Sequence, residues 1–520
     1  MENKYFEIES YTPFSESLIW KLNRNFYQET GIEAWSKGTV PHQITSNSMV
    51  GKTYAELILG FLKDLASKGQ MNETVYILEL GAGHGRLAFH VLKHLQKLQT
   101  LLDIKLPPFC YILSDIVEDN LLFFKNHPQL QTYFKQGILD FAYFDAIGGK
   151  EIHLRHANKT IRSKDLTQPL IAIANYFFDS LPNDLFFIQE EKISVCSVAL
   201  DSKEDPKEID TSTLISSLKL KYQKTALQKN YYSQAIFNEI LEGYKKLVKN
   251  TYLFFPEKGI QCLDNLSDFS NQGLMVLSMD KGFHQIHNLD QQKEPEIITH
   301  GSFSFWVNYH ALGAYCQKQN GKFLFPTFST FQIQVGCLLF VKEPDTYQYT
   351  NAAYQRNVND FGPDDFNSLK KIAYKNVARL TVTELIALLR SSNYDSTFFI
   401  KILPYLKKGT NNISTNQRNR VIQSLHQVWN FYFNINEPYD FAYEIGGFLY
   451  DLGAYADALT YFQYSENIYG KKDDIYYNRI LCYYQLRQDE LFIVTLKEAK
   501  EIFPNNKLFE KLDALDLNAK

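Results

Sequence analysis

Residues 75–86 contain the feature that most restricts how this chain can fold, an apolar run that breaks into three alternating glycines. The run ends at a glutamate, and the residues that carry the pattern are Glu79, Gly81, Gly83 and Gly85. Apolar residues then recur at helical spacing from Leu87 to Leu95. This order predicts a strand, a tight glycine turn and a helix, so that a cofactor can contact bare backbone at the helix N-terminus.

The spacing of the glycines indicates the kind of cofactor. A dinucleotide site needs G-x-G-x-x-G, and Arg86 stands where the third glycine would be. The order E-x-G-x-G-x-G instead resembles the first motif of the class I S-adenosylmethionine (SAM) methyltransferases. This resemblance implies that Glu79, Gly81, Ala82 and Gly83 bind the cofactor, chiefly at its methionine end. The alternative is a glycine-rich turn in an ordinary strand–helix unit.

Two carboxylates follow at the ends of later apolar runs. Residues 109–115 read as a second strand that ends at Asp115, whose carboxylate could accept from two vicinal ribose hydroxyls. Residues 141–145 form a shorter run that ends at Asp145. Asp145 could accept from the adenine amino group or could equally be a turn residue.

A fourth strand is predicted over residues 169–174, where a continuous apolar run fits burial on both faces of a parallel sheet. Asn175 to Asp179 follow it directly. Ligands bind beyond the carboxyl ends of the strands in doubly wound sheets. The polar strand ends should therefore converge on one rim of a Rossmann-like α/β sheet.

Residues 175–182 read N-x-x-x-D-S-L-P and are similar to the N-E-x-x-D-A-L-P signature of the MidA-like family, which includes the mitochondrial complex I assembly methyltransferases. Residues 44–50 resemble the T-A-P-E-I-S block of that family, residues 274–282 its D-Y-G strand, and residues 301–312 its D-I-T-A-H-V-D-F-T-A-L block. The family includes a protein arginine methyltransferase. The resemblance therefore implies SAM-dependent methylation, with a protein as the expected acceptor.

The sequence departs from that family at functional positions. Tyr176 replaces the signature glutamate, Asn47 and Ser48 replace a Pro-Glu pair, and Lys281 replaces the D-Y-G tyrosine. Because carboxylates orient a guanidinium, the lost glutamate weakens the expectation of arginine as substrate. The remaining candidate catalytic residues are Asn175, Asp179 and Asp280, although either aspartate could instead cap a helix or fix a loop.

Composition excludes other classes of protein. The 54 basic and 58 acidic residues give a net charge of −4, which indicates no nucleic-acid partner. The six cysteines show no C-x-x-C spacing, which favours free thiols in a reducing compartment. No signal-peptide core or membrane-spanning run appears, so the protein is expected to be cytoplasmic, unless it is secreted without such a signal.

A metal site is not expected. His90 and His94 share a helix face at the spacing of metal ligands, but no third ligand is evident near them. The preferred interpretation is the surface face of a helix.

A chain of 520 residues should contain two or three domains. We predict an N-terminal helical segment at 1–70 and a methyltransferase domain at 71–345 with a helical insert at about 202–250. The insert could form a substrate lid or brace the sheet. A polar linker is expected at 346–370.

Residues 371–520 are predicted to form an all-α domain that resembles tetratricopeptide (TPR) repeats. Gly453, Ala458 and Phe462 lie at TPR spacing, and a shift of about 34 residues leads to Arg487, Phe492 and Leu496. Such a solenoid commonly grips a peptide or protein on its concave face. It could instead brace the chain or form a dimer surface.

Together these features predict a SAM-dependent methyltransferase that acts on a protein recruited by the TPR-like domain. One alternative is a small-molecule methyltransferase. The other is a non-catalytic TPR scaffold with a vestigial SAM fold.

Overall fold

The computed structural model describes residues 5–41, 43–328, 333–410 and 413–512, and the chain divides into two compact units, residues 1–368 and 369–520. The strands are β1 (Phe6–Pro13), β2 (Val75–Glu79), β3 (Phe109–Asp115), β4 (Leu139–Tyr143), β5 (Glu151–Leu154), β6 (Lys159–Arg162), β7 (Leu170–Asn175), β8 (Asp184–Gln189), β9 (Lys192–Ser202), β10 (Leu218–Ala226), β11 (Asn250–Phe255), β12 (Gly273–Phe283), β13 (Ile298–His300), β14 (Ser302–Ser304), β15 (Val307–Asn308), β16 (Lys322–Leu324) and β17 (Ile333–Val341). The helices up to the unit boundary are α1 (Leu18–Thr30), α2 (Glu33–Ser36), α3 (Ser48–Ser67), α4 (Arg86–Thr100), α5 (Glu118–Asn126), α6 (Gln131–Lys135), α7 (Thr211–Ser217), α8 (Ala235–Leu247), α9 (Glu257–Ser267), α10 (Ile286–Leu289), α11 (Tyr309–Lys318), α12 (Gln348–Tyr354) and α13 (Pro363–Asn376).

The main sheet of the first unit has the order β4-β3-β2-β7-β12-β17-β16. Strands β4 to β12 along this order are parallel, and β17 and β16 are antiparallel additions at one edge. Every residue of β2 and β3 is buried, as expected for apolar strands covered by helices on both faces. Glu79 lies opposite Leu113 and Ile173, so the ends of β2, β3 and β7 meet at one rim. The predicted α/β sheet is confirmed.

A second, antiparallel sheet corrects two predictions. Its order is β1-β9-β8-β11, with β10 also paired to β9. The N-terminal segment is therefore not wholly helical, since it begins with β1. The insert at 202–250 is not wholly helical either, because β10 lies between α7 and α8. Leu218, Leu220 and Tyr222 alternate with Lys219 and Lys221, which is the period of a strand with one buried face.

The predicted linker at 346–370 is wrong, because α12 and α13 lie there. The buried carboxylate of Asp64 in α3 accepts from the backbone N–H groups of Tyr349 and Thr350 and from the Thr350 hydroxyl. A Cβ added to Gly60 would lie 2.8 Å from the Tyr349 carbonyl oxygen. The polar composition of α12 thus conceals a helix that packs tightly on α3.

The second unit is helical throughout its regular structure. Its helices after α13 are α14 (Val382–Ser391), α15 (Ser396–Gly409), α16 (Thr415–Asn430), α17 (Phe441–Asp451), α18 (Tyr455–Tyr469), α19 (Asp473–Gln485), α20 (Asp489–Ile502) and α21 (Leu508–Leu512). Consecutive helices bury two apolar clusters. The larger includes Phe398, Leu425, Phe448 and Phe462, and the smaller, in α19 to α21, includes Ile480, Phe492 and Phe509. Among the described residues of the whole chain, no helix has both the length and the apolar character needed to span a membrane.

One turn geometry follows three helices of the second unit, at Asn393, Gly453 and Arg487, and the last two of these turns lie 34 positions apart. Between α17 and α18, Gly453 has φ +71° and its N–H donates to the Tyr450 carbonyl, while Ala454 donates to Leu449. Between α19 and α20, Arg487 has φ +54°, and the N–H groups of Arg487 and Gln488 donate to Tyr484 and Tyr483. The second set of partners follows the first by 34 positions, so the two helix pairs share one turn geometry.

Candidate active site

The glycine loop after β2 adopts a backbone conformation that favours glycine. Gly81, Gly83 and Gly85 have φ values of +58°, +58° and +72°. Backbone hydrogen bonds fix the loop to the neighbouring strands. The Ala82 N–H donates to the Ser114 carbonyl of β3, and the Leu80 N–H donates to the Ile173 carbonyl of β7, both at 2.9 Å. The sequence pattern therefore forms a turn held between the ends of the neighbouring strands.

A cavity of about 450 Å³ opens above this rim. Nearly all of the predicted site residues line it: Glu79, Gly81, Ala82, Gly83, Asp115, Asp145, Asn175 and Asp179. Asp280 lies completely buried behind Asp179. We call the part of the wall formed by the glycine loop and by the ends of β2, β3 and β7 the floor. The part formed by Trp20, Arg24, Tyr27, Trp35 and Pro41 is called the cover.

Within the floor, Asp115 connects the end of β3 to the glycine loop. Its Oδ2 accepts from the Gly83 N–H and its Oδ1 from the Val117 N–H, both at 2.9 Å. Burial raises the pKa of this carboxyl despite these hydrogen bonds, which act in the opposite direction. A carboxylate oxygen has two acceptor sites, so each oxygen can still accept from a ligand hydroxyl.

Glu79 is a buried acid at the end of β2. Its Oε2 accepts from the Tyr111 hydroxyl at 2.8 Å. Burial raises the pKa of Glu79 to about 8, outweighing the lowering by Tyr111. The floor therefore contains a carboxyl group that is largely protonated at neutral pH.

Asn175 joins the end of β7 to α3 and to the segment before it. Its Oδ1 accepts from the Tyr54 hydroxyl at 2.5 Å, and its Nδ2 donates to the Thr45 carbonyl at 3.0 Å. The next residue, Tyr176, has φ +47°, an unusual conformation for a bulky side chain. Such conformations cluster at functional sites, where the surrounding structure maintains them.

Asp179 and Asp280 form a buried acid pair. The Asp179 N–H donates to Oδ2 of Asp280 at 3.1 Å, and the Lys281 N–H donates to Oδ1 at 2.8 Å. Burial raises the pKa of both carboxyls, and the charge of Asp179 raises that of Asp280 further. Lys281, which also lines the cavity, acts in the opposite direction on the pKa of Asp179. The pair can hold one proton, with Asp179 as the member that faces the cavity.

Asp145 lies at the cavity wall in an ion pair. Its Oδ2 is 2.9 Å from Nη1 of Arg24, and its Oδ1 accepts from the Ile147 N–H at 3.1 Å. The carboxylate thus fixes a turn, as one of the two predictions states, and it also lines the cavity, while its contact with adenine stays a prediction. The ion pair joins the end of β4 to α1 at this edge.

The cover was not found from the sequence. Trp35 stacks on Tyr27 with a centroid distance of 5.8 Å and meets the edge of His84 at 5.5 Å. A Cβ on Gly83 would lie 2.9 Å from Trp35, so the cover touches the glycine loop. The Tyr27 hydroxyl donates to the Ser302 hydroxyl at 3.0 Å. The two outer blocks of the family resemblance, at 44–50 and 301–312, contain none of the five cover residues, but they supply Thr45 and Ser302, which line the cavity beside the cover.

The structure assigns packing roles to the two histidines of α4 and a capping role to Asn47 at the start of α3. His90 and His94 do not form a surface face, since both are buried in α4, and His94 contacts the Ser48 hydroxyl at 3.0 Å. The backbone of α4 at His90 packs so closely on α3 that Gly51 has no room for a Cβ, and this packing buries that face of the helix. The departure at Asn47 has a structural role, because its Oδ1 accepts from the Val50 N–H and caps α3.

The residues present fit SAM. The positive-φ glycines leave bare backbone where a Cβ would narrow the cavity, and Asp115 presents acceptors beside them. Glu79 and the glycine loop would hold the methionine end, Asp115 the ribose, and Asn175 to Asp179 the region of the reactive methyl group. SAM supplies an electrophilic methyl group, so the protein needs only to align an acceptor and remove its proton.

The comparisons with known proteins agree with this chemistry. Residues 55–294 match the family model described as "Putative S-adenosyl-L-methionine-dependent methyltransferase". The chain is a SAM-dependent methyltransferase, and its cofactor is S-adenosyl-L-methionine. No curated protein matches the sequence.

Two crystal structures from Burkholderia thailandensis are similar to this chain. One, of an uncharacterized protein, has 13% identity over 58% of this chain and 71% of that one, with a TM-score of 0.35. The other, of a protein bound to S-adenosyl-homocysteine, has 14% identity over 61% of this chain and 74% of that one, with a TM-score of 0.37. At these TM-scores the likeness says nothing about the site of this chain.

Proposed function

We propose that this methyltransferase is of the MidA-like type and modifies a protein side chain, with the C-terminal helices acting as a TPR-like module that recruits the substrate. The observation that carries the proposal is the acid pair Asp179 and Asp280 at the cavity wall next to Asn175. A shared proton leaves Asp179 able to accept a proton from an acceptor group as the methyl group is transferred.

The charges around Asp179 favour an acceptor that is not strongly cationic. Lys281 lies close enough to lower the pKa of Asp179, and Tyr176 occupies the position of the family glutamate. One carboxylate charge beside one ammonium gives a guanidinium little net attraction. A neutral amide, hydroxyl or deprotonated amine of a protein is the better fit to this arrangement.

The 34-residue spacing of two helix pairs in the second unit supports the recruitment role, whereas the turn itself also ends other helices, for example at Asn320. Gly453 and Arg487, 34 positions apart, share a left-handed backbone and the same two hydrogen bonds. Gly446 packs against Phe462 so closely that a Cβ would lie 2.9 Å from the ring, as at a tight helix crossing. Stacked helix pairs of this kind form extended surfaces that bind peptides.

The test is transfer of a labelled methyl group from SAM to proteins of a cell extract by the full-length chain. We expect discrete labelled proteins, and we expect the Asp179→Asn variant to lose about 10²–10⁴-fold in rate because the proton acceptor is gone. Asp103→Asn, at an exposed loop position, is the matched control.

Other outcomes would favour the alternatives. Wild-type protein that binds SAM but labels only extract passed through a small-pore filter would be a small-molecule methyltransferase. Folded protein that binds no SAM would be a scaffold. To separate recruitment from catalysis, Tyr477→Arg in α19 should reduce protein labelling while leaving SAM affinity unchanged, and Val494→Arg at an exposed position of α20 serves as a control. Because Tyr477 packs partly against the apolar cluster of α19 to α21, the far-UV circular dichroism and melting temperature of both variants must match those of the wild type.

A further inference from the structure

Asn120 is an unexplained polar group in the cavity wall. It lies in the first turn of α5, is only 1% exposed, and lines the cavity together with Asp115 and Val117. A contact from its side chain helps to lower the pKa of Asp115, but neither its Oδ1 nor its Nδ2 meets the distance and angle of a full hydrogen bond with any group. The fully buried amide is therefore left with one weak polar contact.

A buried side-chain amide without full hydrogen bonds is unfavourable for the ligand-free protein. Such an amide destabilises the folded state, because it has lost its hydrogen bonds to water and gained only a weak contact in return. The neighbouring positions Leu121 and Phe124 of the same helix are apolar and equally buried, so an apolar residue would suit the packing. A ligand that enters the cavity is the simplest source of the missing partners.

The chemistry of the neighbouring Asp115 carboxylate indicates which functional group of the ligand binds here. Asp115 in its ionised form can only accept hydrogen bonds. A ribose hydroxyl both donates and accepts, so a hydroxyl that donates to Asp115 still has an oxygen to satisfy. The Asn120 amide offers an N–H donor and a carbonyl acceptor on the same wall.

We propose that Asn120 is a cofactor-binding residue that hydrogen-bonds the ribose hydroxyls of SAM jointly with Asp115. The two side chains divide the task, since the carboxylate accepts and the amide both donates and accepts. Asn120 is then a specificity residue for the ribose, kept at a cost to the stability of the ligand-free protein. This inference depends on the cofactor and is independent of which acceptor the enzyme methylates.

The experiment compares Asn120→Leu with Asn126→Leu in the full-length chain. The control makes the same substitution at the exposed last residue of α5. Thermal unfolding is measured without ligand, and the affinity for S-adenosyl-homocysteine by calorimetric titration. We expect Asn120→Leu to raise the melting temperature and to weaken binding by about tenfold or more, the scale of one to two lost hydrogen bonds. The control should change neither quantity.

A second arm assigns the contact to the ribose. Replacing a ribose hydroxyl with hydrogen, in the 2′-deoxy and 3′-deoxy analogues of S-adenosyl-homocysteine, should weaken binding to the wild type much more than binding to Asn120→Leu. An equal loss in both proteins would overturn the ribose assignment. Unchanged affinity of Asn120→Leu, or a lower melting temperature without ligand, would show that the amide has a structural role only. Failure of the wild type itself to bind would count against the cofactor site as a whole.

Discussion

The floor and the cover of the cavity are built in different ways. The floor consists of backbone and buried acids: Asp115 fixes the Gly83 N–H, and Glu79 is bonded to Tyr111. The cover consists of aromatic rings and one partly exposed ion pair, with Trp35 stacked on Tyr27 and Arg24 paired with Asp145. The floor is positioned by sheet hydrogen bonds, whereas the cover depends on side-chain packing. We therefore expect substitutions in the floor to have larger effects than those in the cover.

The largest effect is expected where floor and cover meet. Gly83→Ala adds a Cβ that would lie 2.9 Å from Trp35, at a residue with φ +58°. The clash and the strained backbone should reduce SAM affinity by roughly 100-fold or more, as measured by calorimetry. Gly137→Ala is the matched control, because it has φ +70° but open space around it. Equal losses of affinity in the two variants would mean that the contact between floor and cover is unimportant.

Glu79 should make the floor sensitive to pH. Its pKa is raised from 4.5 to about 8, so the folded protein holds this proton more tightly than the unfolded chain does. Stability linked to this group is therefore greatest below pH 4.5 and falls as the pH rises through 8. Glu79→Gln, which can still accept from Tyr111, removes this pH dependence, so its free energy of unfolding should exceed that of the wild type by on the order of 3 kcal/mol more at pH 8 than at pH 5. Denaturant titrations at the two pH values test this, and a pH-independent difference would contradict it.

The cover should contribute less to binding. Trp35→Ala removes a ring that lines the cavity and contacts Tyr27 and His84. We expect the SAM dissociation constant to rise about tenfold, which corresponds to roughly 1.4 kcal/mol. Trp35→Phe should recover most of that loss. If Trp35→Ala reduced affinity as much as Gly83→Ala, the distinction between floor and cover would fail.

The smallest effect is expected at the edge of the cavity. Arg24 and Asp145 keep 41% and 32% of their side-chain surface exposed, so their ion pair is solvent-screened. Arg24→Ala should change SAM affinity by less than about threefold, since exposed pairs contribute only 0–1 kcal/mol. The difference from wild type should disappear when the salt concentration is raised. A tenfold loss that persists in high salt would assign Arg24 a direct contact with the ligand.

The sequence predicted the floor because its residues follow the strands that position them. Glu79 and the glycines are contiguous, and Asp115 ends its own apolar run. The hydrogen bond that pairs Asp179 with Asp280 joins residues 101 positions apart, so the partnership is visible only after folding. Trp35 reaches Gly83 across 48 positions, and no local pattern records that contact.

Two errors in secondary structure have different causes. Strand β10 was missed because the insert at about 202–250 was predicted to be helical, although Leu218, Leu220 and Tyr222 alternate with Lys219 and Lys221. Helix α12 was hidden because its sequence is polar, and its stability comes from Asp64 in a distant helix. A tertiary contact outweighs local composition in α12, whereas the alternation that marks β10 is present in the sequence itself.

The hydrogen bonds between Asp64 and α12, here called the clamp, determine where the chain can be cut to produce the catalytic unit as a separate fragment. Truncation after the last strand of the sheet, near residue 342, would remove the two backbone amides and the hydroxyl that satisfy this carboxylate. The surface of α3 beside Gly60 that α12 covers would then be exposed to water, and Asp64 would lose three fixed hydrogen bonds that order this part of the fold. A fragment that extends through residue 360 keeps the clamp whole and is the better candidate for expression.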